Sequence, residues 1–144
     1  MNKKGVTLIE LIVVFVIIAI MAVLIAPNIG AWLPSYRLRS ATRDIVSTFR
    51  VAQMRAISEN ILYQVSFNTA ETGAPNNTAY SFGGTVATLP SGITIVSNTL
   101  TNLRAVFNPD STCTSAPGSI TLQNTKGAQR RITILSATGR VTIQ

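Results

Sequence analysis

Residues 1–26 read MNKKGVTLIELIVVFVIIAIMAVLIA, and the rest of the chain is best read outward from them. Lys3 and Lys4 precede Gly5, and sixteen apolar residues, 11–26, follow Glu10 without interruption. As a helix, residues 6–26 would measure about 31 Å, close to the hydrocarbon thickness of a bilayer. An ordinary secretory signal has a shorter, uncharged apolar region and ends in a small-residue cleavage site. Here Glu10 sits inside the run, and Pro27 directly after Ala26 obstructs a cut there. The segment therefore reads as a membrane span. The two lysines favour a cytoplasmic N-terminus, although Arg37, Arg39 and Arg43 on the far side oppose the same rule.

Glu10 is the unusual residue. A carboxylate within an apolar membrane helix costs about 2.5–3.5 kcal/mol and normally has a partner. Three readings stay open from the residues alone. Thr7-Leu8-Ile9-Glu10 fits a capping box, in which Glu10 bonds back to its own helix start. Glu10 could also sit at headgroup depth and stay hydrated, or bond to a second molecule.

Beyond the span, Pro27 and Pro34 enclose Asn28 and Gly30, which predicts a broken or softened helix around 27–34. Trp32 and Tyr36 stand where interfacial aromatics commonly lie. From Tyr36 to about Asn60 the pattern is helical and amphipathic, with Leu38, Ala41, Ile45, Phe49, Ala52 and Ala56 at three- and four-residue steps. Arg39, Arg43 and Arg50 form a basic stripe. Such a stripe is usually a solvated face, but it could also meet acidic groups of a neighbour or phospholipid.

After Asn60 the period becomes two. Ile61, Tyr63, Val65 and Phe67 alternate with Leu62, Gln64, Ser66 and Asn68. Residues 69–78 are polar and turn-rich and read as a loop. Further strands are predicted at 79–82, 93–97, 103–107, 119–123, 131–136 and 140–143. The last two flank Ala137-Thr138-Gly139, a hairpin connection with a glycine available for positive φ. The class is α+β, with the amphipathic helix packed on an antiparallel sheet. The boundaries are a leader at 1–5, a hydrophobic transmembrane or filament-core helix at 6–34, and a globular head at 35–144.

The chemistry is sparse. Five acidic residues (Glu10, Asp44, Glu59, Glu71, Asp110) show no active-site or metal-ligand spacing, and histidine is absent. Without C-x-x-C or a phosphate-binding glycine loop, neither catalysis, a metal nor a cofactor is expected. A single cysteine, Cys113, cannot close an internal disulfide and reads as a small buried hydrophobe. The net charge of +7 would permit contact with phosphates or anionic lipid, or may simply be scattered surface arginine.

Lys3-Lys4-Gly5, the apolar helix and Glu10 five residues past Gly5 together resemble the prepilin signature of type IV pilin-like proteins. That resemblance implies cleavage after Gly5 by prepilin peptidase, methylation of the new amine at Val6, and a pairing of Glu10 with a neighbour's N-terminal amine during assembly. Family members mostly carry Phe or Met where this chain has Val6. Pro27 falls where pilins carry a helix-kinking proline. The segments LRSATRDIVSTFRVAQMRAISENI and RRITILSATGRVTI resemble the GspH/FimT branch, minor subunits of type II secretion pseudopili and type IV pili. The implied partners are other pilin or pseudopilin subunits, prepilin peptidase and inner-membrane lipid. The implied location is a single pass through the bacterial inner membrane with a periplasmic head, and later an envelope filament or the cell surface. Some FimT-like subunits act in DNA uptake. For that alternative, Lys126, Arg130, Arg131 and Arg140 are the candidate phosphate contacts.

Overall fold

The computed structural model describes residues 5–73 and 77–144, with the side chains of residues 23–29 and 31 outside the description. Lys3 and Lys4 thus lie outside the described residues, and Pro27 is described in its backbone only. The chain divides into two compact units, Met1–Leu33 and Pro34–Gln144.

Helix α1 runs from Leu8 to Glu59 as one element. Its helical assignment continues through Pro27 and Pro34, so the expected break does not interrupt it. Within the first unit the described large side chains from Val6 to Met21 are exposed, between 47% at Ile12 and 77% at Leu8. Among the described residues no helix is long and apolar enough to cross a membrane. The run 11–26 enters the undescribed side chains at residue 23.

In the second unit the amphipathic pattern is realised. Leu38, Ala41, Ile45, Phe49, Ala52 and Ala56 are all buried, while Arg39, Arg43 and Arg50 are exposed. Val46 and Thr42 widen the buried stripe. Thr42 is satisfied there because its hydroxyl donates to the Leu38 carbonyl at 2.7 Å.

Among the described residues eight strands follow: β1 (Tyr63–Ser66), β2 (Ala79–Phe82), β3 (Thr85–Thr88), β4 (Ile93–Asn98), β5 (Arg104–Phe107), β6 (Gly118–Asn124), β7 (Gln129–Ile134) and β8 (Val141–Ile143). They form two four-stranded antiparallel sheets rather than one, in the orders β3-β2-β1-β5 and β4-β6-β7-β8. The expected loop at 69–78 contains a single helical turn, α2 (Thr69–Thr72), capped by Asn68, whose side chain accepts from the Ala70 amide. Strand β3 is the element the alternation did not suggest. Phe82 pairs with Thr85 across Gly83-Gly84, both at positive φ, as a two-residue hairpin requires.

The core is one cluster joining the α1 stripe to both sheets. Phe49 is its pivot, with ring centroids 5.9 Å from Phe67 and 5.9 Å from Phe107. From the second sheet come Ile93, Ile95, Ile120, Leu122, Ile132 and Ile134, all on inward positions. Cys113 is free, and its burial pushes the thiol pKa above the ordinary value. It behaves as the small hydrophobe expected of it.

Side-chain hydrogen bonds tie α1 to the strands and loops of the head at several levels, one of them between the Thr48 and Tyr80 hydroxyls at 3.3 Å. Arg37 Nη1 donates to the Ser91 carbonyl at 3.1 Å and to its hydroxyl at 3.0 Å. Sixteen residues on, about 24 Å along a helix, Gln53 Nε2 donates to the carbonyls of Ser111 (3.0 Å) and Thr138 (3.2 Å). Gln53 thereby holds the 108–118 loop and the β7–β8 hairpin to the helix. Its role lay outside any periodic pattern.

Candidate processing and assembly site

Gly5, Val6 and Thr7 precede the helix in extended or irregular backbone, and Val6 is 74% exposed. A Cβ built on Gly5 would meet nothing within 4 Å among the described residues. Packing therefore does not call for glycine at this position. A requirement for it has to come from something outside the fold, such as an enzyme that must close on the backbone.

Thr7 caps the helix. Its hydroxyl accepts from the Glu10 amide at 3.4 Å, and its carbonyl accepts from the Leu11 amide at 3.2 Å. This is the hydroxyl half of the capping box, which satisfies one of the free amides of a helix start. Glu10 stands in the first turn, where the helix dipole favours a negative charge. Among the described residues its carboxylate has no hydrogen-bond or ion-pair partner, and Glu10 is exposed. The reciprocal half of the box is not made. Local chemistry thus positions Glu10 without using its charge.

Of the C-terminal arginines, Arg131 and Arg140 share one face of the second sheet and Arg130 does not. In the β6–β7 ladder Leu122 pairs with Arg130 and Thr121 with Arg131. Directly paired residues share a face, so half-buried Arg130 lies on the core side of the sheet and Arg131 on the outer side, exposed. Arg140 pairs with Leu135, its carbonyl accepting from that amide at 3.0 Å. Leu135 is five residues from Arg130, about 17 Å along a strand. Arg130 and Arg131 thus sit near the β6–β7 turn, while Arg140 lies at the opposite end, beside Thr138 and Gln53. Gly139, at φ +57 in this hairpin, is closely surrounded: a Cβ there would lie 2.5 Å from the Ser111 carbonyl. Among the described residues no group of three or more acidic or cysteine side chains could hold a metal.

Residues 1–26 match the family model for the prokaryotic N-terminal methylation motif. No curated protein gives a match. Among solved structures the chain is similar to the type IV minor pilin FimU of Pseudomonas aeruginosa (strain PAO1), with a TM-score of 0.56, 16% identity, and coverage of 76% of this chain and 90% of that one. At that identity the likeness speaks to the fold. The chain thus opens on a prokaryotic N-terminal methylation motif and carries an α+β fold similar to that of a type IV minor pilin.

Proposed function

We propose that the chain is a minor pilin or pseudopilin, a structural and non-enzymatic subunit of a type IV pilus or a type II secretion filament, within the GspH/FimT branch. It is cleaved after Gly5 by prepilin peptidase and methylated at Val6. Until assembly it is held in the inner membrane by residues 6–34, with Pro27 bending the helix and residues 35–144 forming a periplasmic head. The carrying observation is the Glu10 carboxylate, which is positioned by a Thr7 cap yet unpartnered among the described residues.

The physical sequence is as follows. Cleavage would place an ammonium group at Val6, beside a helix start that already carries partial positive charge. A neighbour's Glu10 neutralises that ammonium and gains the partner it lacks. Membrane and filament core are both apolar, so side chains such as Leu11, Phe15 and Ile18 lose little on passing from one to the other, while the charge pair is new. The head adds apolar surface of its own: Val51, Met54, Ile57, Ile61 and Leu62 are exposed at the end of α1 and just beyond it. Packing between subunits would cover that surface.

Glu10→Leu should enter the membrane at least as well as the parent and be lost from filaments by tenfold or more. Membrane fractionation and quantification in sheared filaments measure the two. Equal incorporation would return Glu10 to the capping role alone. For the DNA reading, Arg131 and Arg140 share the outer face of the second sheet, about 13 Å apart along the strand, whereas Arg130 turns to the core side.

A further inference from the structure

The side of α1 that turns away from the core carries a pattern of its own. At about 100° per residue, Tyr36, Arg39, Arg50, Met54 and Ile57 all fall within about 40° of Arg43. All six side chains are exposed, and all belong to the second unit. They form one ridge about 31 Å long, opposite the buried face of Ala41, Ile45, Phe49 and Ala52. Ser47 sits near its middle, small and exposed. Aromatic, methionine and arginine side chains are the types enriched where proteins meet.

The ridge holds no acid. Asp44 stands about 100° round the helix from Arg43, and Glu59 about 160°. Arg39 and Arg43 are four residues apart, a spacing at which like charges repel. Three other arginines of the head have partners within it: Arg37 donates to Ser91, Arg55 lies 5.7 Å from the Phe82 ring centroid, and Arg104 pairs with Glu71. Among the described residues Arg39, Arg43 and Arg50 have no hydrogen-bond or ion-pair partner.

From this placement we infer that the ridge is a docking face for a carboxylate-bearing surface of a different pilin-like subunit, not of a second copy. The inference deepens the filament reading proposed above and rests on it. A second copy lacks the carboxylates. The head's acids are Asp44, Glu59, Glu71 and Asp110. Glu59 already accepts from the Tyr63 hydroxyl, Glu71 pairs with Arg104, and Asp110 accepts from Thr112. That leaves Asp44 against three guanidinium groups, and ridge-to-ridge packing would set arginine against arginine. Nucleic acid would satisfy the guanidinium groups but offers no complement to Met54 and Ile57, which are 68% and 48% exposed. A protein surface with carboxylates along its length and an apolar end matches both parts of the ridge.

The test places a photoreactive benzophenone amino acid at Ser47 of the full chain in cells, with the linked peptide sequenced by mass spectrometry. The same probe at Met54, a larger side chain, covers the case in which the added ring at Ser47 blocks docking. The expected adduct joins another pilin-like subunit through a segment in which Asp and Glu outnumber Lys and Arg. Three exposed ion pairs together contribute about tenfold in affinity, so Arg39→Glu/Arg43→Glu/Arg50→Glu should lower the adduct yield by about tenfold or more. Lysines in place of the linked segment's carboxylates should restore the yield in that variant and lower it with the parent. All three arginines are exposed, so the variant's circular dichroism and melting temperature should stay close to the parent's. Lys126→Glu/Arg131→Glu/Arg140→Glu, the same charge change away from α1, should keep the yield. An adduct with a second copy, with nucleic acid or with a segment that is not acidic overturns the inference, as does charge reversal without restoration. Incorporation into sheared filaments is scored separately. A parent chain absent from filaments overturns the filament reading and this inference together, whereas incorporation without the expected adduct overturns this inference alone.

Discussion

Phe15 and Phe49 are the same residue on the same helix, yet one is 63% exposed and the other fully buried. Around Phe15 every side of the helix is apolar. A helix of that kind has no polar face to leave in water, and among the described residues its large side chains from Val6 to Met21 are exposed. Around Phe49 a stripe of small and medium side chains meets two sheets, and Arg39, Arg43 and Arg50 take the solvent side. The comparison teaches that apolar content alone does not mark a core. The arrangement around the helix decides whether burial occurs within the chain or between molecules.

Paired truncations break or sharpen this contrast most directly. Phe49→Ala should cost the head about 3–5 kcal/mol, because it removes ring contacts to Phe67 and Phe107 and leaves a cavity. Phe15→Ala should leave head unfolding within about 0.5 kcal/mol while weakening filament incorporation. Urea denaturation followed by tyrosine fluorescence reads the first effect and filament yield the second. A head destabilised equally by both would mean that the two halves of α1 are not energetically separate.

A smaller effect is expected at Gln53. Its amide serves two carbonyls, those of Ser111 and Thr138, on otherwise independent loops. Gln53→Ala should cost about 1–3 kcal/mol and raise hydrogen exchange in the 108–118 and 135–140 segments together. Faster exchange in only one of them would show that Gln53 does not couple the loops.

The smallest effect concerns pH. Asp110 accepts from the Thr112 hydroxyl at 2.6 Å and the Thr112 amide at 3.0 Å, which hold its pKa below the ordinary value. A depressed carboxylate contributes stability that is present above its unfolded pKa and lost as pH falls through the folded one. Acidification below the usual carboxylate range should therefore loosen the 108–112 turn slightly. Asp110→Asn should be less stable than the parent at neutral pH and should flatten that part of the profile. A parent melting profile indistinguishable from that of Asp110→Asn would remove the Thr112 bonds from the account.

Much of the architecture could be read in advance because it rests on local repetition. The steps from Leu38 to Ala56 are one helix face, and the alternation from Ile61 to Phe67 is one strand, whatever lies around them. The helix start was legible for the same reason, since Thr7 and Glu10 stand three residues apart and the Thr7 hydroxyl accepts from the Glu10 amide. Strand β3 escaped because Thr85–Thr88 is short and has no inward alternation; its signal was the Gly83-Gly84 turn rather than its own residues. The division into two sheets escaped because pairing partners are chosen across the chain, as when β4 pairs with β6 and leaves β5 to β1.

The sequence by itself determined the apolar helix, the capped start with a carboxylate in its first turn, the buried face of the second half and the hairpin at Gly139. Each depends on neighbours within a few residues. Only the tertiary structure decided that Arg131 and Arg140 share the outer face of a sheet while Arg130 turns to the core side, that Gln53 ties two distant loops, and that Arg37 meets Ser91 at the end where the chain enters the head. Strand register and the pleat assign those side chains to a face and a level, and both arise from pairings between segments that are far apart in the chain.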